Sequence, residues 1–499
     1  MRLQPSEKQS GTFTVLGGRE VFGELTVAGS QSKLYLRDKE YFQPKGTADG
    51  YISGILHDMT RVSLIDCVGS PAPRCVSVTA NSEHYCEADV FPRFIVLGDR
   101  HLNPDEPSIV AAEFSLDDIG TLFSDFAAFG CIQDAGDLMG KIVSTQPKML
   151  QAPAGGDATI IYFAGKREIF SSDTALGTIS ASHNPIPVVL PPKEAYFRNR
   201  ITITARFSHG VRFLEAIMRA QKVIAYMGLL VGRPQNLRGL QLQTTGPANR
   251  PLDVIWNTFP ARDDSNDFGE PSHVDVLIDA VQQPGPFSHV LKGWLGHDQE
   301  RHDARTRFFS CFSQQREYNI DRLTGAANMF DILPDSAIPP SAQLSNAIET
   351  ARDQTRDLFK RLPMSRERDS ILSALGRLGK SQLKQKVGHR AQIVLNAYIQ
   401  RFPELQFVTD EAVNCRNFYV HGTSRQFDYN NNFATVEFFT DTLEFVFAAS
   451  ELVEAGWGMK AWIDQGTFGS HPFGRYWASY AYRLQMLKTL LSKVSNGAQ

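Results

Sequence analysis

The chain has 499 residues, 42% of them hydrophobic and 21% charged. Those are globular proportions, and they exclude a mainly disordered chain. Lys and Arg number 51 against 54 Asp and Glu, a formal charge of −3, so nucleic acid would need a local or composite basic site.

At ~150 residues per domain the length predicts two to four domains. Six cysteines are too few for a disulfide scaffold. The opening MRLQPSEKQSGTFTV lacks the apolar core of a signal peptide. The most apolar windows, Val223–Val231 and Phe445–Leu452, are too short to span a bilayer. A soluble protein of the reducing cytoplasm, with no membrane partner, is expected.

The first ~200 residues read as β-rich. Short apolar or alternating runs lie at Thr12–Leu16, Val21–Ala28, Lys33–Leu36, Val62–Val68, Cys75–Thr79, Phe94–Gly98 and Thr159–Phe163, separated by Gly, Pro, Asn and Asp. Repeated short strands predict a sandwich or an irregular barrel. Leu116–Phe129 reads as the one helix in this stretch. Ile201–Phe207 alternates as a strand, and Val211–Leu230 follows with helical apolar spacing, ended at Gly232. Strands are predicted at Leu240–Thr244 and Val254–Phe259, and a polar surface loop at Ala261–Pro271.

After about Pro284 helical patterns take over. They lie at His302–Arg316, Asn319–Phe330, Ser341–Lys360, Arg366–Leu378, Leu383–Arg401, Asp410–Val420, Asn432–Gly456 and Phe473–Val494. The expected class is therefore α+β. Residues 1–290 would form a β-rich region, with a subdomain split near 200, and residues 291–499 an all-α region.

Several constellations fail on spacing. GRLGKS at 376–381 approaches a P-loop, but Ala374 occupies the first glycine position and Ile371–Leu375 reads as helix rather than strand. His297 and His302 lie five apart, so on a helix their rings diverge by ~140°. Cys67, Cys75, His84 and Cys86 are zinc-ligand types whose spacing lacks the paired knuckle. Neither a metal nor another cofactor is expected.

One arrangement carries chemistry. Residues 409–423 read TDEAVNCRNFYVHGT, with Asp410 as N-cap, Gly422 as C′ glycine, and Phe418 and Val420 toward the core. Arg416 and His421 stand five apart with Asn417 directly after the arginine, and scanning upstream of all twelve histidines finds this match alone. RNA is cut without metal when its 2′-hydroxyl attacks the adjacent phosphorus. Histidine can move that proton, and arginine presents a fork to the phosphate oxygens. Because His421 sits where the helix ends, the ideal ~140° offset need not separate it from Arg416. A helix-capping Arg and a terminal His of purely structural use are the alternative.

Arg, a polar residue and then His at this spacing resembles the signature of HEPN-domain ribonucleases, and the C-terminal region resembles their Apea-like branch. The start, GTFTVLGGREVFGELTVAGSQSKLYLRD, is similar to the N-terminal domain that accompanies it. The resemblance implies a helical bundle that forms a homodimer or higher homo-oligomer, with a composite site from two protomers. Arg416 and His421 would be the catalytic pair and Asn417 a supporting residue. It further implies metal-independent cleavage of host RNA, with tRNA one candidate, in anti-phage abortive infection. The β region would sense a phage-derived trigger. Arg425 could extend the basic patch. A non-catalytic HEPN dimerisation or ligand-binding module is the alternative.

Overall fold

The computed structural model describes residues 8–497 apart from 45–49, 70–71, 79–82, 146–156, 191–192, 247–249, 260–268 and 341–343. It divides into two compact units. One is Met1–Arg262 with Ile278–Ser288, and the other is Asp263–Leu277 with His289–Gln499.

The first unit opens with eight strands: β1 (Lys8–Thr14), β2 (Glu20–Thr26), β3 (Lys33–Asp38), β4 (Tyr51–Leu56), β5 (Arg61–Gly69), β6 (Arg74–Val78), β7 (Glu83–Gly98) and β8 (Ile109–Leu116). Six of them close into an antiparallel barrel in the order β7-β3-β2-β1-β4-β5, because β5 pairs back onto β7. The 16-residue β7 permits this closure. Its Cys86–Val90 stretch pairs with β3, and Val90–Gly98 pairs with β5. Alternation decides which side chains go inside. On β2, Val21 and Leu25 are buried while Phe22 is 56% exposed. Phe13 fills the space beside Gly54, where an added Cβ would lie 2.5 Å from the ring. Leu34, Leu36, Ile52, Leu64 and Ile95 complete the apolar interior.

The unit continues with α1 (Ile119–Leu122), β9 (Phe129–Ile132), α2 (Gly136–Thr145), β10 (Ile160–Phe163), β11 (Glu168–Thr174), β12 (Gly177–Leu190), β13 (Glu194–Val211), α3 (Phe213–Val231), β14 (Leu237–Thr244) and β15 (Leu252–Trp256). An extension β11-β12-β13-β8-β14-β15 joins the barrel through β7. Helix α3 packs against β8 and β13 and ends at Gly232, whose φ is 89°. The helix expected over Leu116–Phe129 is only the single turn α1. One long-range and one local contact break the pattern. The Asp118 carboxylate is locked by Arg233 at 2.6 and 2.8 Å, and Asp125 turns the chain by accepting from the Ala127 N–H at 3.0 Å. Most of the loop expected at Ala261–Pro271 lies outside the described residues.

The remaining helices are α4 (Pro284–Gly296), α5 (Asp298–Phe312), α6 (Ile320–Asp331), α7 (Asn346–Lys360), α8 (Arg366–Gly376), α9 (Leu383–Tyr398), α10 (Leu405–His421), α11 (Phe433–Glu454), α12 (Met459–Asp464) and α13 (Pro472–Gly497). Helix α11 is apolar on nearly every side, as a central helix must be, and α5, α6, α9, α10 and α13 pack around it. The N-caps of α6, α7 and α8 are Asn319, Ser345 and Ser365, each accepting a backbone N–H. Among the described residues, no helix is long and apolar enough to cross a membrane.

Candidate active site

Helix α10 begins at Leu405, five residues before the expected N-cap, so Asp410 lies inside the helix and does not cap it. Glu404, in left-handed backbone with φ 58°, is the N-cap instead. The other end is as the sequence indicates: Gly422 takes φ 65° and its N–H bonds Phe418 O. His421 is therefore the last helical residue.

The inner face of α10 buries Leu405, Val408, Thr409, Ala412, Val413 and Cys415. Burial pushes the Cys415 thiol up to about 12. Burial likewise raises Glu411, against an opposing hydrogen bond from Asn414 at 3.0 Å. Phe418 is half-buried in an aromatic cluster with Tyr419 and Tyr429, but Val420 is 43% exposed, contrary to its expected inward position. It sits one residue before the exposed helix end.

Arg416 and His421 meet. Arg416 Nη1 lies 3.1 Å from His421 Nε2 and donates to Asn417 Oδ1 at 3.1 Å. A guanidinium has no acceptor, so in a hydrogen bond between them Arg416 donates and Nε2 accepts. The long arginine side chain and the terminal position of His421 together close the helical offset. Arg416 Nη2 donates to Asn328 Oδ1 at 2.8 Å. Asn328 lies on α6, 88 residues earlier, and sequence reading missed it. One signal was available: it is a lone amide among the buried Ala326, Ala327, Met329 and Phe330. Arg416 Nε is buried and, among the described residues, has no hydrogen-bond partner. Arg425 faces the Asp428 carboxylate at 3.8 Å, so its charge is partly engaged.

The discarded constellations have plain structural roles. Cys75 and Cys86 stand opposite each other in the β6–β7 register and form a disulfide, while Cys67 is a buried thiol. The zinc-ligand set is thereby broken. His297 is the N-cap of α5, 2.9 Å from Glu300 through Nδ1, and His302 is exposed one turn on. GRLGKS joins α8 to α9 with no strand before it, and Gly379 takes φ 83°. No cluster of metal-ligating side chains occurs among the described residues.

The structure is thus a β-barrel unit and a helical bundle, the bundle carrying an arginine and a histidine in contact at one helix end. Family comparison agrees at both ends. The model for ApeA N-terminal domain 1 matches residues 9–294, and that for Apea-like HEPN matches 325–460. The chain belongs to the ApeA family of HEPN proteins. No curated protein and no solved structure matches it.

Proposed function

We propose that this chain is a metal-independent endoribonuclease that cuts host RNA, with tRNA one candidate, during anti-phage abortive infection in the cytoplasm. The observation that carries the reading is the 3.1 Å contact between Arg416 Nη1 and His421 Nε2. A scissile phosphate draws the guanidinium fork and its spare Nε donor away from the imidazole. The freed Nε2 lone pair then takes the proton of the attacking 2′-hydroxyl. The new O2′–P bond forms, the P–O5′ bond breaks, and the leaving O5′ takes a proton from water, which the His421 imidazolium then replaces. The products are a 2′,3′-cyclic phosphate and a 5′-hydroxyl. Arg416 neutralises the charge that builds on the non-bridging phosphate oxygens. Asn328 and Asn417 hold its fork, and a second protomer completes a composite site. The β unit serves as sensor of a phage-derived trigger.

Arg416→Ala and His421→Ala each reduce cleavage ~10²-fold or more. The double variant is scarcely worse than the worse single one, because the two act as a unit. Lys at 416 rescues poorly, since a point charge lacks the planar fork. RNA end-sequencing after induced expression, alongside thermal melts and light scattering of pure protein, checks all of this. A folded His421→Ala protein that cleaves fully, or cleavage abolished by chelator and restored by Mg²⁺, sinks the reading.

A further inference from the structure

We infer that Arg307 is a second phosphate-binding residue of this site, gripping the same RNA strand beside the phosphate held at Arg416.

Helix α6 leaves a narrow strip uncovered. Its flanks are buried, and Thr324 and Asn328 are only half-buried. Helices α5 and α10 both pack against α6. From α10, Arg416 reaches Asn328. From α5, Arg307 reaches Gly325, where an added Cβ would lie 3.0 Å from both its Nε and Nη2. Gly325 and Asn328 are three apart on one helix, so their side-chain positions are ~5–6 Å apart. Gly325 is buried at the edge of that strip, so two guanidinium groups from different helices approach adjacent positions of α6.

Gly325 is otherwise hard to account for. A glycine inside a helix costs ~1 kcal/mol relative to alanine. Here it admits the Cys311 sulfur, 2.8 Å from the position of a Cβ, and the Arg307 guanidinium. The bareness of the backbone is what lets that guanidinium lie close to α6.

Arg307 also differs from the other arginines of these two helices. Arg301, Arg305 and Arg322 are buried and bound to Glu451 or Glu444 at 2.7–3.0 Å. Arg307 is exposed and, among the described residues, makes no hydrogen bond or ion pair. Of the nearby carboxylates on α6, Asp331 is engaged by Lys386 at 3.5 Å, and Asp321 lies in the first helical turn. An uncommitted guanidinium beside the Arg416 site has the geometry to take one phosphate. With a near-neutral chain, two local cations converging on one strip supply what the global charge does not.

The inference rests on the reading of Arg416 and His421 as an RNA-cleaving pair. Its test uses the full-length protein, an RNA substrate for cleavage, and a 2′-O-methyl oligonucleotide of the same sequence as uncleavable probe. Arg307→Ala raises KM and weakens probe binding about tenfold, with kcat within about twofold. The slope of log affinity against log salt falls by about one. Arg307→Lys recovers most of the loss, unlike Lys at 416. Thermal melts stay unchanged, because the side chain is exposed. Wild-type cleavage and binding with an indistinguishable Arg307→Ala protein overturns this inference alone. So does a loss confined to kcat. A wild-type protein that neither binds the probe nor cuts RNA overturns the underlying reading, and this inference with it.

Discussion

The barrel and the helical bundle solve the same packing problem with different interiors. The barrel core is apolar: Phe13, Leu34, Leu36, Leu64 and Ile95 meet inside it, and among the described residues no charged side chain of β1 to β7 is buried. The bundle buries a charge network. Glu451, fully enclosed, receives Arg301 at 2.7 Å, Arg390 at 2.8 Å and Arg305 at 2.8 and 3.0 Å. Glu454 takes second bonds from Arg301 and Arg390, and Glu444 binds Arg322 at 2.7 and 2.9 Å. The contrast follows from the elements. On a strand, alternation says which face is inside, and closure of the barrel does the rest. Helix α11 is apolar nearly all round, so hydrophobicity alone does not fix its rotation. Glu444 and Glu451 lie seven residues apart, two turns on one face, and fix that rotation. The network also reaches the site. Arg322 ties α6 to α11, and α6 carries Asn328, which holds Arg416.

The largest effect expected from this contrast is a difference in tolerance. Removing either keystone outright is costly: ~3–5 kcal/mol for Phe13→Ala as a cavity, and ~3–5 kcal/mol for Glu451→Ala as uncompensated buried arginines. Conservative changes separate the two. Phe13→Leu keeps an apolar filler and costs ~1–1.5 kcal/mol. Glu451→Gln keeps the shape but strips the charge from three arginines, and its cost stays above ~2 kcal/mol. Denaturant melts of the four variants measure this. Equal costs for the two conservative changes break the comparison.

Acid sharpens it at a smaller scale. In the helical unit Asp275 is buried and accepts four bonds, from Thr467 Oγ1, Phe468 N, Ser470 N and Ser470 Oγ at 2.6–2.9 Å. Burial alone would raise its pKa, but the Ser470 and Thr467 hydrogen bonds and the two backbone donors outweigh burial and hold it below the ordinary value. Glu454 is lowered likewise: burial opposes, and Arg390 and Arg301 prevail. A depressed carboxylate contributes stability that is present above its unfolded value, about 4, and is lost as pH falls through the folded one. Asp275→Asn therefore costs ~2 kcal/mol at neutral pH and progressively less in acid. A cost independent of pH down to about 3 excludes the charge as its source.

What was legible in the sequence follows the same division. The alternating runs marked β2, β3 and β5 closely, because period-two burial is written locally, while Thr12–Leu16 caught only the last three residues of β1. Strands β11 and β12 went unread. They carry Ser, Thr and Pro, and their place comes from pairing, β12 on β13 and β11 on β12. The predicted helix at Leu116–Phe129 failed because Asp118 is claimed by Arg233, 115 residues away. At the site, Arg416, Asn417 and His421 were readable because they lie within six residues. Asn328, Arg307 and Gly325 were not, since only the packing of α5, α6 and α10 brings them to one strip.

The smallest expected effect is chemical labelling, and it asks whether the two interiors open separately. Of the four free cysteines, Cys131 is exposed, while Cys67 lies in the barrel and Cys311 and Cys415 in the bundle. Burial pushes each of the three buried thiols up to about 12, so little thiolate exists near neutral pH even if a reagent arrives. Iodoacetamide at about pH 8 therefore modifies Cys131 in the folded protein, and the other three react only through opening of their surroundings. Glu451→Ala loosens the network that fixes α11, whose arginines Arg301, Arg305 and Arg390 all belong to the bundle. In that variant Cys311 and Cys415 gain reactivity, read by mass spectrometry of the labelled peptides, while Cys67 stays protected at the wild-type rate. If Cys67 is labelled in step with them, the apolar barrel and the charged bundle melt as one cooperative unit, and the difference between their interiors has no separate energetic meaning.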